Sequence, residues 1–300
     1  MEYDIEYKIK KAEEFEKSHK NLHAVQLYNS IINEHPEFIQ SFIKLALLYE
    51  KTGQIDAAKD AFRKGLKFNS KNAELTLSCG QFFIRNKFWN DALDVLKVIS
   101  PEEEPLVSLL IAYAYFNLED YELSKINLLK FIISDEKPEL IHEAYLFLAK
   151  IEYLFNRFED ANKYIRKAES LLNDYWELYF VKAKVLYQLK MYSHAAKSIK
   201  RALKLNQREP ELHSWAGKIY IKCEEFENAE RHLIKFLESQ KSVSAETHLA
   251  LADVLQKQNK LVEAEKFLNA ALVLDPKNLD ISERKRTLSK LINSTTASDV

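Results

Sequence analysis

Apolar residues recur with helical spacing along nearly the whole chain, and short polar breaks interrupt them at regular intervals. The clearest example is the stretch 244–278, in which two helical stripes follow each other: Leu251, Ala252, Leu255 and then Ala264, Leu268, Ala271. Gln258-Asn259-Lys260 separates the stripes, and Pro276 ends the second because proline cannot continue a helix. The stretch therefore predicts two short antiparallel helices. Such a pair buries too little apolar surface alone, so it is expected to stack on copies of itself.

Small residues mark those copies. In the first helix of each predicted pair they are Ala12, Ala46, Gly80, Ala112, Ala149, Ala183, Gly217 and Ala252. Twelve residues later, in the second helix, they are Ala24, Ala58, Ala92, Ser124, Ala161, Ala195, Ala229 and Ala264. The steps along either series are 34, 34, 32, 37, 34, 34 and 35 residues. A small side chain lets two helix backbones approach closely, which explains why the positions repeat.

These positions predict an all-α array of antiparallel helix pairs over residues 5–278. Its eight repeats are expected at about 5–38, 39–72, 73–104, 105–138, 142–175, 176–209, 210–243 and 245–278. Residues 279–293 predict a capping helix with one apolar stripe, formed by Ile281, Leu288, Leu291 and Ile292. The small polar residues 294–300 predict a disordered tail.

One segment interrupts the regularity. Residues 100–105 hold two prolines and three glutamates, so they cannot extend a helix, and the neighbouring steps change to 32 and 37. Because the small residues continue without a linker, we expect a local change of twist here rather than a domain boundary.

The second repeat resembles the tetratricopeptide repeat family through Phe42, Leu45-Ala46, Tyr49, Gly53, Ala58 and Phe62. The eighth repeat matches the same pattern at Ala264, Leu268, Ala271 and Asp275-Pro276, whereas Glu152 stands where an aromatic residue is usual. The resemblance covers about residues 5–278 and implies a right-handed α-solenoid, that is, a superhelix of antiparallel helix pairs. It also implies a non-enzymatic scaffold or adaptor that captures a protein or peptide segment in a concave groove lined by the first helices.

Helical spacing from the small residues selects candidate groove residues. The set centred on repeats four to seven is Leu109, Tyr113, Phe116, Lys150, Tyr153, Phe180, Lys184, Tyr187, Trp215 and Lys218. The three lysines recur in successive repeats, so they could neutralise an acidic partner while the aromatic residues contact its apolar part. Alternatively, a parallel row at Glu143, Glu177 and Glu211 could offset the charge and leave an ordinary solvated surface.

Repeat four leaves a second question open. Residues 106–116 are almost entirely apolar, which fits either an exposed binding patch or a helix covered by its neighbours.

The remaining composition excludes several classes of function. Only four glycines are present, and no phosphate-binding loop or catalytic motif occurs, so we expect no enzyme, no catalytic residues, no cofactor and no metal site. The net charge of −1 argues against a nucleic-acid partner. The longest apolar run is too short to span a membrane. Two distant cysteines, Cys79 and Cys223, and a charged N-terminus predict a cytoplasmic protein.

The family's carboxylate clamp for chaperone tails is not expected, because Phe147, Val181 and Trp215 stand where it needs polar residues. Two other functions remain as alternatives. One is a structural subunit that uses its convex face or its capping helix, and the less favoured one is an RNA-binding helical-repeat protein. The sequence favours no particular oligomeric state.

Overall fold

The computed structural model describes residues 2–70, 72–134, 138–172, 174–239 and 244–298, and all of its regular structure is helical. The helices of the first four pairs are α1 (Glu2–Lys17), α2 (Asn21–Glu34), α3 (Ile39–Lys51), α4 (Ile55–Phe68), α5 (Ala73–Arg85), α6 (Trp89–Leu96), α7 (Leu106–Asn117) and α8 (Tyr121–Ser134). The next four pairs are α9 (Pro138–Leu154), α10 (Phe158–Leu171), α11 (Trp176–Gln188), α12 (Tyr192–Leu205), α13 (Pro210–Lys222), α14 (Phe226–Ser239), α15 (Ala245–Lys257) and α16 (Leu261–Leu274). A last helix, α17, spans Leu279–Ser298.

The small residues lie where the two helices of a pair meet. All sixteen of them are buried. At two of these positions even a methyl group would not fit: an added Cβ would lie only 2.3 Å from Cδ2 of Leu96 at Gly80, and 2.5 Å from Cδ2 of Leu233 at Gly217. Where serine replaces alanine, at Ser124, the hydroxyl donates a 2.9 Å hydrogen bond to the carbonyl of Ala112. The spacing in the sequence thus corresponds to close helix packing within each pair.

The turn inside each pair has one backbone geometry throughout. Seven residues with positive φ (His19, Lys87, Glu119, Asn156, Lys190, Glu224, Asn259) and Gly53 occupy the same place, seven residues after the first small residue. Each donates its N–H to the carbonyl three residues back, as Lys190 does to Tyr187 at 3.0 Å. The next residue donates to the carbonyl five residues back, as Met191 does to Leu186 at 2.9 Å. This is the Schellman motif, which satisfies carbonyls left over at a helix end.

Contacts between helices divide the chain into two units, which we call the N-terminal unit (residues 1–144) and the C-terminal unit (residues 145–300). The division falls inside α9 and not at residues 100–105, and no change of sequence composition marks it. In the N-terminal unit, successive helices pack on one another around a core that includes Tyr28, Phe42, Phe62 and Phe82. These four aromatic residues are completely buried, so burial of large apolar side chains stabilises the unit.

The proline-rich segment shortens one helix of the N-terminal unit. α6 has only eight residues, while α2, α4 and α8 each have fourteen. Residues 97–105 then form turns, in which the backbone N–H groups of Glu103 and Glu104 both donate to the carbonyl of Ser100. The predicted interruption of the helix is therefore present in the structure.

In the C-terminal unit, the end of α9 packs with α10 and α11 around Leu146, Ile165 and Val185. A second core continues from α11 to α17, and in α17 the side chains of Ile281 and Leu288 are buried. α17 packs on α16, but Leu291, placed on its apolar stripe by the sequence, is 49% exposed.

α17 is longer than the sequence predicts. It continues to Ser298 where we expected a disordered tail from residue 294, and the last two residues of that tail lie outside the described part of the chain. Apolar periodicity cannot detect this extension, because its residues are all small and carry no apolar stripe.

Candidate functional site

Seven of the predicted groove residues lie in the C-terminal unit, on three first helices. Lys150 and Tyr153 belong to α9, Phe180, Lys184 and Tyr187 to α11, and Trp215 and Lys218 to α13. Each helix presents its lysine one residue after the small packing residue, because that offset turns the side chain away from the contact within the pair. The structure brings most of these seven side chains together.

Lys184 is surrounded by aromatic rings from all three helices. Its Nζ lies 5.1 Å from the ring centre of Tyr153, 5.2 Å from that of Phe180 and 5.3 Å from that of Trp215. At these distances the negative faces of the rings attract an ammonium group. The Lys184 side chain is only 24% exposed, so this cation is held in a partly desolvated place.

Burial also lowers the pKa of Lys184, because a cation loses hydration there. The charges of Lys150 and Lys218 lower it further, while Glu211 raises it. The distance from Nζ of Lys184 to the nearest carboxylate oxygen of Glu211 is 3.8 Å, near the limit for an ion pair. Glu211 therefore neutralises the charge of Lys184 only in part. A partner carboxylate placed closer to Nζ of Lys184 would be attracted by the remaining positive potential.

Lys150 is paired more tightly. Its Nζ lies 2.6 Å from Oε1 of Glu177 and 4.3 Å from the ring centre of Phe147. The Tyr175 hydroxyl donates a 2.5 Å hydrogen bond to the other oxygen of Glu177. Burial raises the pKa of Glu177, but the charge and hydrogen bonds of Lys150 and Tyr175 outweigh it and leave the pKa below its ordinary value. The predicted glutamate row thus neutralises the first lysine.

Lys218 differs from the other two lysines. It is exposed, with its Nζ 5.3 Å from the ring centre of Trp215. Among the residues that the structure describes, no carboxylate lies within ion-pair distance of it. Trp215 in turn packs edge-on against Tyr187, with ring centres 5.6 Å apart. The two predicted alternatives for the lysine row therefore apply to different members of it, since Lys150 is offset by a glutamate and Lys218 is not.

Two predicted groove residues are covered by their own chain, contrary to expectation. Leu109 is 2% exposed and Phe180 is 6% exposed, so neither can offer a contact surface to a partner. Leu109 lies on α7, whose residues 107–112 are all buried, so most of this apolar helix is covered. Helical spacing alone could not reveal this, because a helix that is apolar all round has no distinguishable inward face.

The other two predicted residues of α7 are half-buried and lie in the N-terminal unit. The Tyr113 hydroxyl donates to Glu143, which places one glutamate of the predicted acidic row beside an aromatic side chain instead of a lysine. The Phe116 ring packs edge-on against Tyr121 at 5.5 Å. These residues therefore belong to the N-terminal unit, whereas the lysine-bearing site belongs to the C-terminal unit.

The side chains of this site are mainly cationic and aromatic. Among the described residues, no three histidine, cysteine, aspartate or glutamate side chains lie close enough together to hold a metal ion. The described helices include none that is long and apolar enough to span a membrane. What the site presents is a row of cations stacked on aromatic rings, an arrangement suited to carboxylates that adjoin apolar groups.

Comparisons with known proteins agree with the repeat pattern. Models of the tetratricopeptide repeat match residues 39–72, 177–209 and 216–278. No curated protein sequence matches the chain.

Among solved structures, the chain is similar to the one described as the APC/C hetero-tetramer Cut9-Hcn1, with 15% identity, a TM-score of 0.60 and coverage of 89% of this chain. It spans about half of that protein, 52% of its length. Pseudomonas aeruginosa pilF gives 18% identity and a TM-score of 0.48 over 84% of this chain and 98% of its own. The tetratricopeptide repeat protein TTC0263 of Thermus thermophilus gives 21% identity and a TM-score of 0.41 over 60% of this chain and 96% of its own.

Only the first similarity, with its TM-score above 0.5, bears on the architecture, and at 15% identity it supports the helical-repeat fold alone. The matched repeat models, which occur in both units, identify this chain as a member of the tetratricopeptide repeat family.

Proposed function

We propose that this protein is a non-enzymatic interaction scaffold that captures an extended, acidic partner segment along α9, α11 and α13 of the C-terminal unit. Its fold supports a role in protein interaction in general, and the side chains of the site suggest the chemistry of the partner. The segment would carry carboxylates next to apolar or aromatic side chains, because the site combines lysines with exposed edges of aromatic rings.

The observation that carries this proposal is the contrast between the three lysines. Lys150 is neutralised at 2.6 Å by Glu177, while Lys218 is exposed beside Trp215 without a carboxylate within ion-pair distance among the described residues. Lys184 lies between them and has a carboxylate only at 3.8 Å. The unbalanced positive charge therefore increases from Lys150 toward Lys218. A partner carboxylate would bind near Lys218.

A selection from a random peptide library tests the proposal even though the partner is unidentified. The full chain is immobilised, and the selected peptides are sequenced and then measured singly by fluorescence anisotropy. We expect enrichment of aspartate and glutamate next to aromatic or aliphatic residues. The Trp215→Ala variant should bind the selected peptides at least about tenfold more weakly, since a partly buried tryptophan anchor is worth about 2 kcal/mol.

The matched pair of charge reversals is Lys218→Glu and Lys257→Glu. Both lysines are exposed, lie on first helices of the C-terminal unit and change the net charge equally. Only Lys218→Glu should weaken binding, and the wild-type affinity should fall as salt is added. An equal loss of affinity in both variants would show that binding depends on net charge and not on the position of Lys218. If no peptide is selected while circular dichroism shows intact helices, the structural-subunit alternative is favoured instead.

A further inference from the structure

A large cavity lies away from the lysine and aromatic site. Its volume is about 890 Å³, and it is formed within the C-terminal unit by side chains of α12, α13 and α14. This volume falls in the upper part of the range of about 300–1,000 Å³ that is typical of small-molecule sites.

The walls of this cavity are strongly basic. Six cations line it, namely Lys197, Lys200, Lys204, Lys222, Arg231 and Lys235, whereas Glu225 is the sole acidic residue of the lining. The three lysines of α12 are spaced three and four residues apart, so they share one face of that helix. Arg231 and Lys235 are four apart on α14 and extend from the facing helix.

These six cations differ from the ion-paired lysines of the same unit. All six are exposed, and within the described part of the chain none of them has a carboxylate at ion-pair distance. Lys150 and Lys182 of the same unit, by contrast, each have a carboxylate oxygen at 2.6 Å. Like charges held together repel one another, and Glu225 alone offsets them in the lining, so their convergence on one cavity points to a role other than stability.

The sequence shows the same asymmetry. No aspartate or glutamate occurs in residues 178–208, although the stretch holds eight lysines and arginines and the whole chain has a net charge of −1. The other second helices that carry lysine or arginine also carry acidic residues, as α4 and α10 do. The positive charge is thus concentrated around one helix and is not a property of the chain as a whole.

A pair of stacked histidines forms part of the cavity wall. Nδ1 of His213 lies 2.8 Å from Nδ1 of His232, and Nε2 of His213 lies 3.1 Å from the carbonyl oxygen of Gln207. The carbonyl requires a hydrogen on Nε2 of His213, so with both rings neutral His232 donates to His213. Burial, together with the neighbouring His213, Lys235 and Arg231, lowers the pKa of His232 to about 4. The wall therefore adds no negative charge and itself experiences the positive field of the cavity.

We propose that this cavity binds a small molecule that carries a chain of phosphate groups. Ammonium groups of lysine and the guanidinium of arginine both bind phosphate oxygens, and six of them around one cavity match a ligand of high charge density. A long nucleic acid fits less well, because the charges line one cavity instead of a stripe and the protein as a whole is near neutral. The proposal is independent of peptide capture, which uses other side chains.

Calorimetric titration of the full chain with inorganic tripolyphosphate tests the proposal. We expect one binding site per chain, an affinity at least about tenfold higher than that for sulfate at equal ionic strength, and a marked loss of affinity at raised salt. ATP serves as a second probe, and binding equal to that of tripolyphosphate would show that the phosphate chain alone is recognised. Tighter binding of ATP would show that the cavity also contacts the base or sugar.

The decisive variants are Lys200→Glu with Lys204→Glu in the cavity and Lys64→Glu with Lys67→Glu on α4. Both pairs are exposed, lie at the end of a second helix and change the net charge equally. The cavity pair should lose at least about tenfold in affinity for tripolyphosphate, while the α4 pair should keep it. Equal loss in both pairs, no preference over sulfate, or tighter binding of a short single-stranded RNA than of tripolyphosphate would each overturn the proposal.

Discussion

The His213–His232 pair predicts a loss of stability in mildly acidic solution. His232 is held neutral in the folded protein, with a pKa of about 4, because burial and the neighbouring His213, Lys235 and Arg231 disfavour its cationic form. In the unfolded chain a histidine titrates near its ordinary value of about 6.5. Between these two values the unfolded chain binds a proton that the folded protein does not, so the free energy of unfolding decreases as the pH falls.

The size of this effect follows from the two pKa values. At about 1.4 kcal/mol for each pH unit, the difference between 6.5 and about 4 corresponds to at most about 3 kcal/mol. About 2 kcal/mol of that limit is reached by about pH 5. His232 is only half-buried, so solvent screening reduces the expected loss at that pH to about 1 kcal/mol. The stability is retained in full above about pH 7.

Urea unfolding followed by tryptophan fluorescence measures the effect, because Trp176 and Trp215 both report on the C-terminal unit. The His232→Asn variant keeps a donor near His213 but cannot titrate, so its stability should fall less than that of the wild type between about pH 7.5 and about pH 5. The exposed His194 provides the control, and His194→Asn should keep the wild-type pH dependence. The reasoning is refuted if His232→Asn and the wild type lose stability in parallel.

Two further predictions concern packing within helix pairs. Leu233→Ala should lower the free energy of unfolding by about 2–4 kcal/mol. In the Gly217→Ala background the same change should cost at least about 1 kcal/mol less, because the new methyl group fills space that Leu233 occupies. Additive changes in urea unfolding would contradict this contact. Glu152 is 2% exposed where the other repeats place aromatic or aliphatic residues, so Glu152→Leu should leave stability unchanged or raise it by about 1–3 kcal/mol. A clear drop in the melting temperature of that variant would show that the carboxylate is required.

The sequence predicts the helix pairs well because their period depends on local packing. A small residue such as Ala183 must meet its partner helix in every repeat, and any larger side chain is penalised, so the signal recurs with each copy. The same argument placed Lys150, Lys184 and Lys218 on equivalent positions. It could not distinguish them, because their ion pairs depend on where Glu177 and Glu211 lie in three dimensions.

Other features escape sequence reasoning for related reasons. The burial of Leu109 depends on which helices cover α7. The sequence of α7 does not reveal it, because that helix is apolar on all sides. The basic cavity combines Lys200 of α12 with Lys235 of α14, which belong to different repeats. The lack of acidic residues in 178–208 could have drawn attention to α12, but only the structure shows that the charges face a cavity.

The uniform turns have a consequence for how the surface of such a protein can change. Seven of the eight residues with positive φ are not glycine, and all eight residues are exposed. The backbone of the turn is evidently imposed by the helices on either side and by two main-chain hydrogen bonds, and not by the residue in it. Histidine, lysine, glutamate, asparagine and glycine are all accepted there. One exposed position in every repeat can therefore change its charge during evolution without cost to the fold. The surface charge of these turns can diverge while the packing of the helices stays the same.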